Sequence, residues 1–310
     1  MPSSSGSSRD AAFEAFPPLR LRTRVFDWSR VYVVGVLNVT PDSFSDGGRF
    51  DSVEAAVARG LELVDEGADV IDVGGESSRP AGATYGEGAA SVDPQEELRR
   101  VLPVIEALAR RTDVPISIDT TKAPVARAAL EAGAQMVNDV SGLQMDGEMA
   151  DVVASAGCPI ILMHMRGTPA STGAFSNYRN LLSEVHTELS ERVDMAVQAG
   201  VDRSQIILDP GLGFGKGTRH NLQLLRRLSF LRCLAGRPVL VGPSRKSFIG
   251  EVLGGAPVDR RDWGTAGAVA AAVMAGADMV RVHDVAAMRD VVRVAEAVRR
   301  ERPVVGPERH

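Results

Sequence analysis

Eight short runs of apolar residues, rich in valine and isoleucine, alternate along the chain with longer segments in which apolar residues recur every three or four positions. Runs of this kind are typical of strands buried on both faces, and the intervening spacing is typical of amphipathic helices. Their strict alternation predicts right-handed β–α–β units and a parallel sheet. The predicted strands are 31–37, 70–73, 115–118, 135–137, 159–163, 206–208, 238–241 and 279–282.

Several predicted helices end at a glycine just before the next strand, as in Glu-Gly-Ala-Asp at 66–69 and Glu-Ala-Gly-Ala at 131–134. Glycine ends a helix there because it adopts the left-handed conformation freely. Eight strand–helix units that close on themselves predict an α/β fold, a single (β/α)8 TIM barrel. A doubly wound open sheet is the alternative, although it usually has about five or six strands.

The length of 310 residues suits either two domains of ~150 residues or one such barrel. We predict one barrel over residues 29–303. Residues 1–28 begin with a serine-rich stretch and lack periodicity, so we expect a short disordered N-terminal tail there and a second flexible tail at 304–310.

Composition excludes several classes of protein. Hydrophobic residues make up 44% and charged residues 24%, as in globular proteins with a large core. The longest weakly polar run is far shorter than the ~20 residues that span a bilayer, and residues 1–12 contain no apolar secretory segment, so we expect a cytoplasmic protein. The net charge of −5 offers no basic surface for nucleic acid or membranes, and we expect a small-molecule partner. Cys158 and Cys233 are isolated, and we interpret both as packing residues.

Lysine is rare in this chain, since only three of the 35 basic residues are not arginine. Lys122, Lys216 and Lys246 all follow predicted strands. The ammonium of lysine is compact and its pKa shifts readily on burial, whereas the guanidinium of arginine is larger and stays charged. A functional site can therefore require lysine where arginine would not serve. The three lysines therefore either mark such sites or coincide by chance.

Every predicted strand ends in polar residues, and the carboxyl ends of barrel strands form the active site in proteins of this fold. Solvation of loops would explain the polarity but not its distribution. Strands three, four and six supply acceptors or amides, namely Asp119, Asn138 and Asp209. Strands seven and eight supply cations: Arg245, Lys246, Arg281 and His283. This arrangement fits a ligand with a donor-rich ring at one end and an anionic group at the other, such as a pterin diphosphate.

Two other motifs occur at these strand ends. The sequence GLGFGK at 211–216 is not a phosphate-binding P-loop, because Pro210 stands where that motif needs a glycine, and it does not match the dinucleotide-binding pattern either. The sequence SRKS at 244–247 places two cations at a predicted helix start, where they oppose the helix dipole. We therefore expect a bound anion at this helix start.

The strand-end motifs resemble those of the dihydropteroate synthases. They are GVLNVTPDSFSDGG at 35–48, DVGGESSRP at 72–80, DT at 119–120, ND at 138–139, MHM at 163–165, DPGLGFGK at 209–216, SRKS at 244–247 and RVHD at 281–284. The resemblance extends in order over residues 31 to 300, with one motif at each strand end.

This resemblance implies a homodimeric, Mg²⁺-assisted enzyme of folate synthesis and a sulfonamide target, which joins 4-aminobenzoate to 6-hydroxymethyl-7,8-dihydropterin diphosphate with loss of diphosphate. It implies pterin-binding roles for Asp119, Asn138, Val140, Met163, Asp209, Phe214 and Lys246. It implies diphosphate-binding roles for Asn38, Arg281 and His283, with Asn38 also a metal ligand. Aminobenzoate would contact Phe44, Ser78, Arg79, Pro80 and Ser247. The implied catalytic residues are Asp42, Arg79, Asp119 and Lys246.

The sequence departs from the family pattern at two places. Ser78 stands where the family more often has threonine, and residues 81–91 form a longer, more glycine-rich stretch. A methyltransferase that uses methyltetrahydrofolate would share the acidic pterin end, but it has no use for the motifs around Asp42 and Arg79. A catalytically silent pterin-binding module is the other alternative, although it would be expected to have lost Asn38, Lys246 or Arg281.

Overall fold

The computed structural model describes residues 16–21, 23–40, 49–76, 92–168, 171 and 175–301. Its strands are β1 (Leu19–Leu21), β2 (Arg24–Phe26), β3 (Tyr32–Asn38), β4 (Val70–Gly74), β5 (Ile116–Asp119), β6 (Met136–Asp139), β7 (Ile160–Met163), β8 (Ile206–Asp209), β9 (Leu240–Val241) and β10 (Met279–Val282). Its α-helices are α1 (Arg49–Glu66), α2 (Pro94–Arg111), α3 (Ala123–Ala132), α4 (Met149–Ala156), α5 (Leu181–Gln198), α6 (Thr218–Arg226), α7 (Leu228–Ala235), α8 (Ser247–Val252), α9 (Asp262–Met274) and α10 (Val285–Arg300). The eight predicted strands correspond to β3 through β10. The predicted tail at 304–310 lies outside the described residues.

The eight strands β3 to β10 form one parallel sheet, in the order β8-β7-β6-β5-β4-β3-β10-β9. A parallel bridge between Leu208 and Val239 joins the two ends of this order, and the Leu208 N–H donates to the Pro238 carbonyl at 3.0 Å. The sheet therefore closes into the predicted barrel, and the open-sheet alternative is wrong.

Alternate residues of each strand face the barrel axis, because the side-chain period of a strand is two. In β4, Ile71 and Val73 belong to the core between strands and helices, whereas Val70 packs with inward side chains of other strands. Asp72 shares this inward face and forms hydrogen bonds with residues of β6 and β10. The lower interior is thus mainly apolar, and the charged inward residues lie towards the carboxyl end, where a ligand can enter.

Part of the predicted N-terminal tail forms regular structure. Strands β1 and β2 pair antiparallel, with Leu19 opposite Phe26. Leu19, Leu21 and Phe26 are buried against the inward residues at the amino end of the barrel. The boundary at residue 28 is therefore wrong, because this hairpin covers apolar side chains that water would otherwise reach. Residues 1–15 lie outside the described part of the chain.

Two other expectations can be compared with the described residues. None of the helices in this part of the chain is long and apolar enough to cross a membrane. Cys158 is buried, as expected for a packing residue, whereas Cys233 is exposed on α7, so its interpretation as a packing residue is wrong.

Candidate active site

Each predicted site residue that the structure describes lines one cavity of about 300 Å³ at the carboxyl end of the barrel. These residues are Asn38, Asp119, Asn138, Val140, Met163, Asp209, Phe214, Lys246, Ser247, Arg281 and His283. The remaining predicted site residues lie outside the described part of the chain: Asp42, Phe44, Ser78, Arg79 and Pro80, together with the stretch 81–91. The sequence thus predicted which side chains come together, and their individual roles stay predictions.

Asp72 connects two side chains of the cavity. Its Oδ2 accepts hydrogen bonds from Asn138 Nδ2 at 2.9 Å and from Arg281 Nε at 2.6 Å. Its Oδ1 is buried and has no hydrogen-bond partner within the described residues. The Nη2 of Arg281 donates in turn to Asp119 Oδ2 at 2.7 Å. Arg281 therefore lies between two carboxylates, and Asp72 fixes both Arg281 and Asn138.

Two buried carboxylates of the cavity have raised pKa values. Burial raises the pKa of Asp119 to about 7, against the opposing effect of Arg281. Burial also raises the pKa of Asp209, although its Oδ1 accepts a hydrogen bond from the Gly211 N–H at 2.7 Å. A ligand that presents N–H donors to both groups would stabilise their charged forms, because solvent does so only weakly here.

An apolar wall borders these carboxylates. It is formed by a buried cluster of Val140, Met163, Met165 and Phe214. The Nζ of Lys246 lies 4.2 Å from the centre of the Phe214 ring, which is within cation–π distance. Burial lowers the pKa of Lys246 to about 8, and the charge of Asp209 opposes this shift. The wall and the ammonium together offer an apolar face and a hydrogen-bond donor to a flat heterocycle.

The opposite side of the cavity carries His283 and the loop after β9. His283 Nδ1 lies 2.9 Å from Ser244 Oγ. The guanidinium of Arg245 donates from Nε to Asp262 Oδ1 at 3.0 Å. Arg245 is therefore paired within the protein, and the anion expected at this helix start stays a prediction. The helix that follows, α8, has only six residues.

The predicted acceptors and cations do lie on different strands of the barrel, but their side chains are not separated in the cavity. Arg281 belongs to β10, on the predicted cationic side, yet its guanidinium crosses to Asp72 of β4 and Asp119 of β5. A long arginine side chain can span this distance inside a barrel. Part of the charge in the cavity is thus balanced by pairs between its own side chains.

Sequence reasoning missed the surroundings of two lysines. Lys216 is buried behind Phe214, where its Nζ lies 2.9 Å from His164 Nδ1. Lys122 pairs with Glu76 and with the buried carboxylate of Glu97. The scarcity of lysine did indicate special environments, but only Lys246 lines the cavity. Sequence position alone could not tell which loop side chains point inward.

A metal ion would find few protein ligands in this site. No cluster of three histidine, cysteine, aspartate or glutamate side chains within the described residues could hold a metal. Asn38 lines the cavity at the end of β3, beside the end of β10 that carries His283. A single amide oxygen suits Mg²⁺, which is often bound by one or two protein oxygens together with substrate phosphates and water.

Comparisons with known proteins agree with this geometry. The model of the pterin binding enzyme family matches residues 34–283. A dihydropteroate synthase from Synechocystis sp. is 49% identical over 283 residues, which cover 91% of this chain and 95% of that protein. The Xanthomonas albilineans dihydropteroate synthase solved with 4-aminobenzoic acid is 47% identical, with a TM-score of 0.83 and coverage of 91% and 98%. The Yersinia pestis dihydropteroate synthase solved with a sulfonamide drug is 42% identical, with a TM-score of 0.83 and coverage of 92% and 100%.

Proposed function

The chain belongs to the dihydropteroate synthase family, transferases of folate synthesis, and we propose how its own residues join 4-aminobenzoate to 6-hydroxymethyl-7,8-dihydropterin diphosphate. In this reaction the amine nitrogen forms a bond to the pterin methylene carbon, the carbon–oxygen bond to diphosphate breaks, and the amine loses a proton. The observation that carries the proposal is the cavity itself, which combines buried carboxylates, a cation and an apolar wall.

The pterin ring occupies the acidic side of the cavity. Its ring N–H and amino groups donate to Asp119 and Asp209, and Asn138 adds an amide beside them. Lys246 donates to the ring carbonyl, and Phe214 packs on the ring face. The raised pKa values of both carboxylates support this assignment, since such groups gain most from new hydrogen-bond donors.

Diphosphate lies on the side of Asn38, Arg281 and His283. Arginine pairs well with phosphate because its donors form a planar fork. Mg²⁺ would be held by Asn38 together with the diphosphate, and when bound it would neutralise part of the negative charge on the leaving group. Omission of Mg²⁺, or the substitution Asn38→Ala, should therefore weaken diphosphate binding while leaving the binding of the bare pterin unchanged.

The negative charges of Asp119 and Asp209 favour positive charge on the pterin as the bond to diphosphate breaks. An aromatic amine is a weak nucleophile, so assistance to the leaving group is the larger requirement. We therefore infer that bond cleavage runs ahead of amine attack. Asp42 and Arg79 are proposed to complete the site, although both lie outside the described residues.

Aminobenzoate is proposed to bind beside Ser247, the first residue of α8 and part of the cavity lining. The proposal extends to Phe44, Ser78, Arg79 and Pro80, which lie outside the described residues. The relatives solved with 4-aminobenzoic acid and with a sulfonamide drug support the same ligand class for this chain. Sulfonamides should accordingly compete with aminobenzoate.

The deciding experiment couples labelled 4-aminobenzoate to the pterin diphosphate, with and without Mg²⁺. The unmodified chain should form labelled dihydropteroate, and Asp209→Ala should nearly abolish pterin binding, because a buried donor left without its acceptor costs about 1–3 kcal/mol or more. Asp194→Asn is a matched control, since this carboxylate is exposed on α5. A chain that binds pterin without forming product would favour the silent binding module instead.

We also propose that the chain forms a homodimer through α9. This helix carries only one charged residue, Asp262, yet one of its faces is exposed. That face comprises Trp263, which is 91% exposed, with Gly267, Ala271 and Met274. An exposed apolar helix face is typical of a protein–protein interface. Sedimentation should show a dimer that Ala271→Arg dissociates and that Ala156→Arg, on the exposed end of α4, leaves intact.

A further inference from the structure

A buried lysine lies behind the apolar wall of the cavity. The Nζ of Lys216 is within hydrogen-bond distance of four acceptors, which converge on it from two segments of the chain. They are the carbonyl oxygens of His164 at 3.1 Å, Gly211 at 3.0 Å and Phe214 at 2.8 Å, and the Nδ1 of His164 at 2.9 Å. Burial lowers the pKa of Lys216 well below its ordinary value, with the charge of Asp209 opposing this shift. In the ammonium form, all three of its protons are used by these four acceptors.

The Nδ1 of His164 can accept a hydrogen bond only in the tautomer that is protonated at Nε2. Its ring is fully buried, and its Nε2 lies 3.0 Å from Glu188 Oε2. Because an ionised carboxylate only accepts, Nε2 carries the proton, and Nδ1 is left to accept from Lys216. Burial and the nearby charge of Lys216 lower the pKa of His164 to about 3, which keeps the ring neutral.

The carbonyl groups around Lys216 belong to the segments that build the pterin side of the cavity. Gly211 has a φ of +69°, and a Cβ there would lie 2.0 Å from the His164 carbonyl oxygen, so the two segments touch through their backbones. The Gly211 N–H donates to the Asp209 carboxylate at 2.7 Å. Phe214, three residues on, supplies the ring beneath Lys246.

We propose that Lys216 is a positioning residue for pterin binding, which ties residues 211–214 to the end of β7 and thereby sets the directions of the Asp209 carboxylate and the Phe214 ring. The nature of the ligand rests on the proposed function. Without Lys216, the carbonyl oxygens of His164 and Phe214 and the Nδ1 of His164 would lose their donor, and the Gly211 carbonyl would keep only the Phe214 N–H. The loop would then shift to hydrate these buried acceptors.

An arginine would not replace this lysine, even though arginine is the usual basic residue of the chain. A guanidinium spreads its donors over a flat fork, whereas the four acceptors here converge on a single nitrogen. The geometry thus accounts for one of the three lysines that the chain contains.

The test compares Lys216→Met and Lys216→Arg with the unmodified chain. Calorimetry with 6-hydroxymethyl-7,8-dihydropterin should show a Kd raised about tenfold or more in both variants, as expected when buried acceptors lose their donor. The KM for the pterin diphosphate should rise similarly, while the KM for 4-aminobenzoate changes by less than about threefold. Arg232→Met is the matched control, because it removes a buried cation that pairs with Asp278 at the other end of the barrel.

Arg232→Met should lower the Tm without changing the pterin Kd. If Lys216→Met lowers the Tm equally and also leaves the pterin Kd unchanged, the positioning role is overturned. If Lys216→Met does not fold, Lys216→Arg carries the test, and an unchanged pterin Kd in that variant would overturn the role. Failure of the unmodified chain to bind pterin would instead contradict the proposed function.

Discussion

The guanidinium of Arg281 donates to the carboxylate of Asp119 across the mouth of the barrel, at 2.7 Å. Arg281, which is proposed to bind diphosphate, is thus paired with Asp119, which is proposed to bind the pterin ring. A bound pterin would supply new donors to Asp119, and a bound diphosphate would supply new acceptors to Arg281. We therefore expect each half of the substrate to weaken the contact between Arg281 and Asp119. Binding of one half then makes binding of the other half easier.

Replacement of Arg281 should affect both halves of the substrate. Arg281→Met should raise the Kd of inorganic diphosphate about tenfold or more, because a charge-assisted pair is lost. It should also weaken pterin binding at pH 7, because Arg281 lowers the pKa of Asp119 and its loss leaves more of this carboxyl protonated. Calorimetry with each ligand separately would measure the two effects.

Arg245→Met provides the control for this variant, since Arg245 is paired with Asp262. It should change diphosphate binding far less than Arg281→Met does. Equal losses in the two variants would indicate a general effect of positive charge rather than a specific role of Arg281.

The pH dependence of pterin binding should follow Asp119 and Lys246. The pKa of Asp119 is raised to about 7, so its carboxylate is lost as an acceptor when the pH falls below that value. The pKa of Lys246 is lowered to about 8, so its ammonium is lost when the pH rises above that value. The affinity for 6-hydroxymethyl-7,8-dihydropterin should therefore be greatest between these values and fall on both sides.

Two variants assign the limbs of this profile. Asp119→Asn should bind weakly and lose the acidic limb, and Lys246→Arg should lose the alkaline limb because a guanidinium stays charged. The bare pterin is used because it removes the ionisation of diphosphate from the measurement. A flat profile in the unmodified chain would show that neither group titrates in this range.

The strand-end residues were predictable because each lies at the end of a short, continuous apolar run, and alternation then decides which of them face the axis. Asp119, Asn138 and Asp209 illustrate this, since each occupies an inward position at the end of its strand. The direction of a long side chain was not predictable, because the sequence does not show that Arg281 reaches Asp119. The buried position of Lys216 was missed for the same reason.

The N-terminal hairpin escaped prediction because its strands are only three residues long, too short for a periodic pattern. The reason for its apolar residues is visible only in the structure, where they cover the amino end of the barrel. Leu19 and Leu21 belong to one buried cluster with Tyr32 and Val34 of β3. No sequence pattern indicates that these residues pack together.

Deletion of residues 1–24 should lower stability, because it removes β1 and uncovers the amino end of the barrel. Each buried leucine contributes roughly 1.5–3 kcal/mol, so the free energy of unfolding should fall by several kcal/mol. Urea unfolding would measure this change. A truncation that ends before Phe16 keeps the described contacts and serves as the control. Equal stability of the two truncations would show that the hairpin contributes little.

Aminobenzoate should bind poorly to the empty protein and better once the pterin side is filled. Ser247 directly follows Lys246, so a pterin that engages the ammonium of Lys246 also fixes the backbone at the proposed aminobenzoate site. Calorimetry should show that pterin, diphosphate and Mg²⁺ tighten 4-aminobenzoate by about 5- to 150-fold, a range typical of linked sites, and that sulfonamides follow the same dependence.

Linkage requires the effect to be reciprocal, so 4-aminobenzoate must tighten the pterin by the same factor. Asp209→Ala, which should not hold the pterin, should abolish the enhancement without changing the weak binding of aminobenzoate alone. If the pterin half reacts first, the single-turnover rate should depend only weakly on the basicity of substituted anilines. Tight aminobenzoate binding to the empty protein would contradict the ordered scheme, and a steep dependence on basicity would favour direct displacement by the amine.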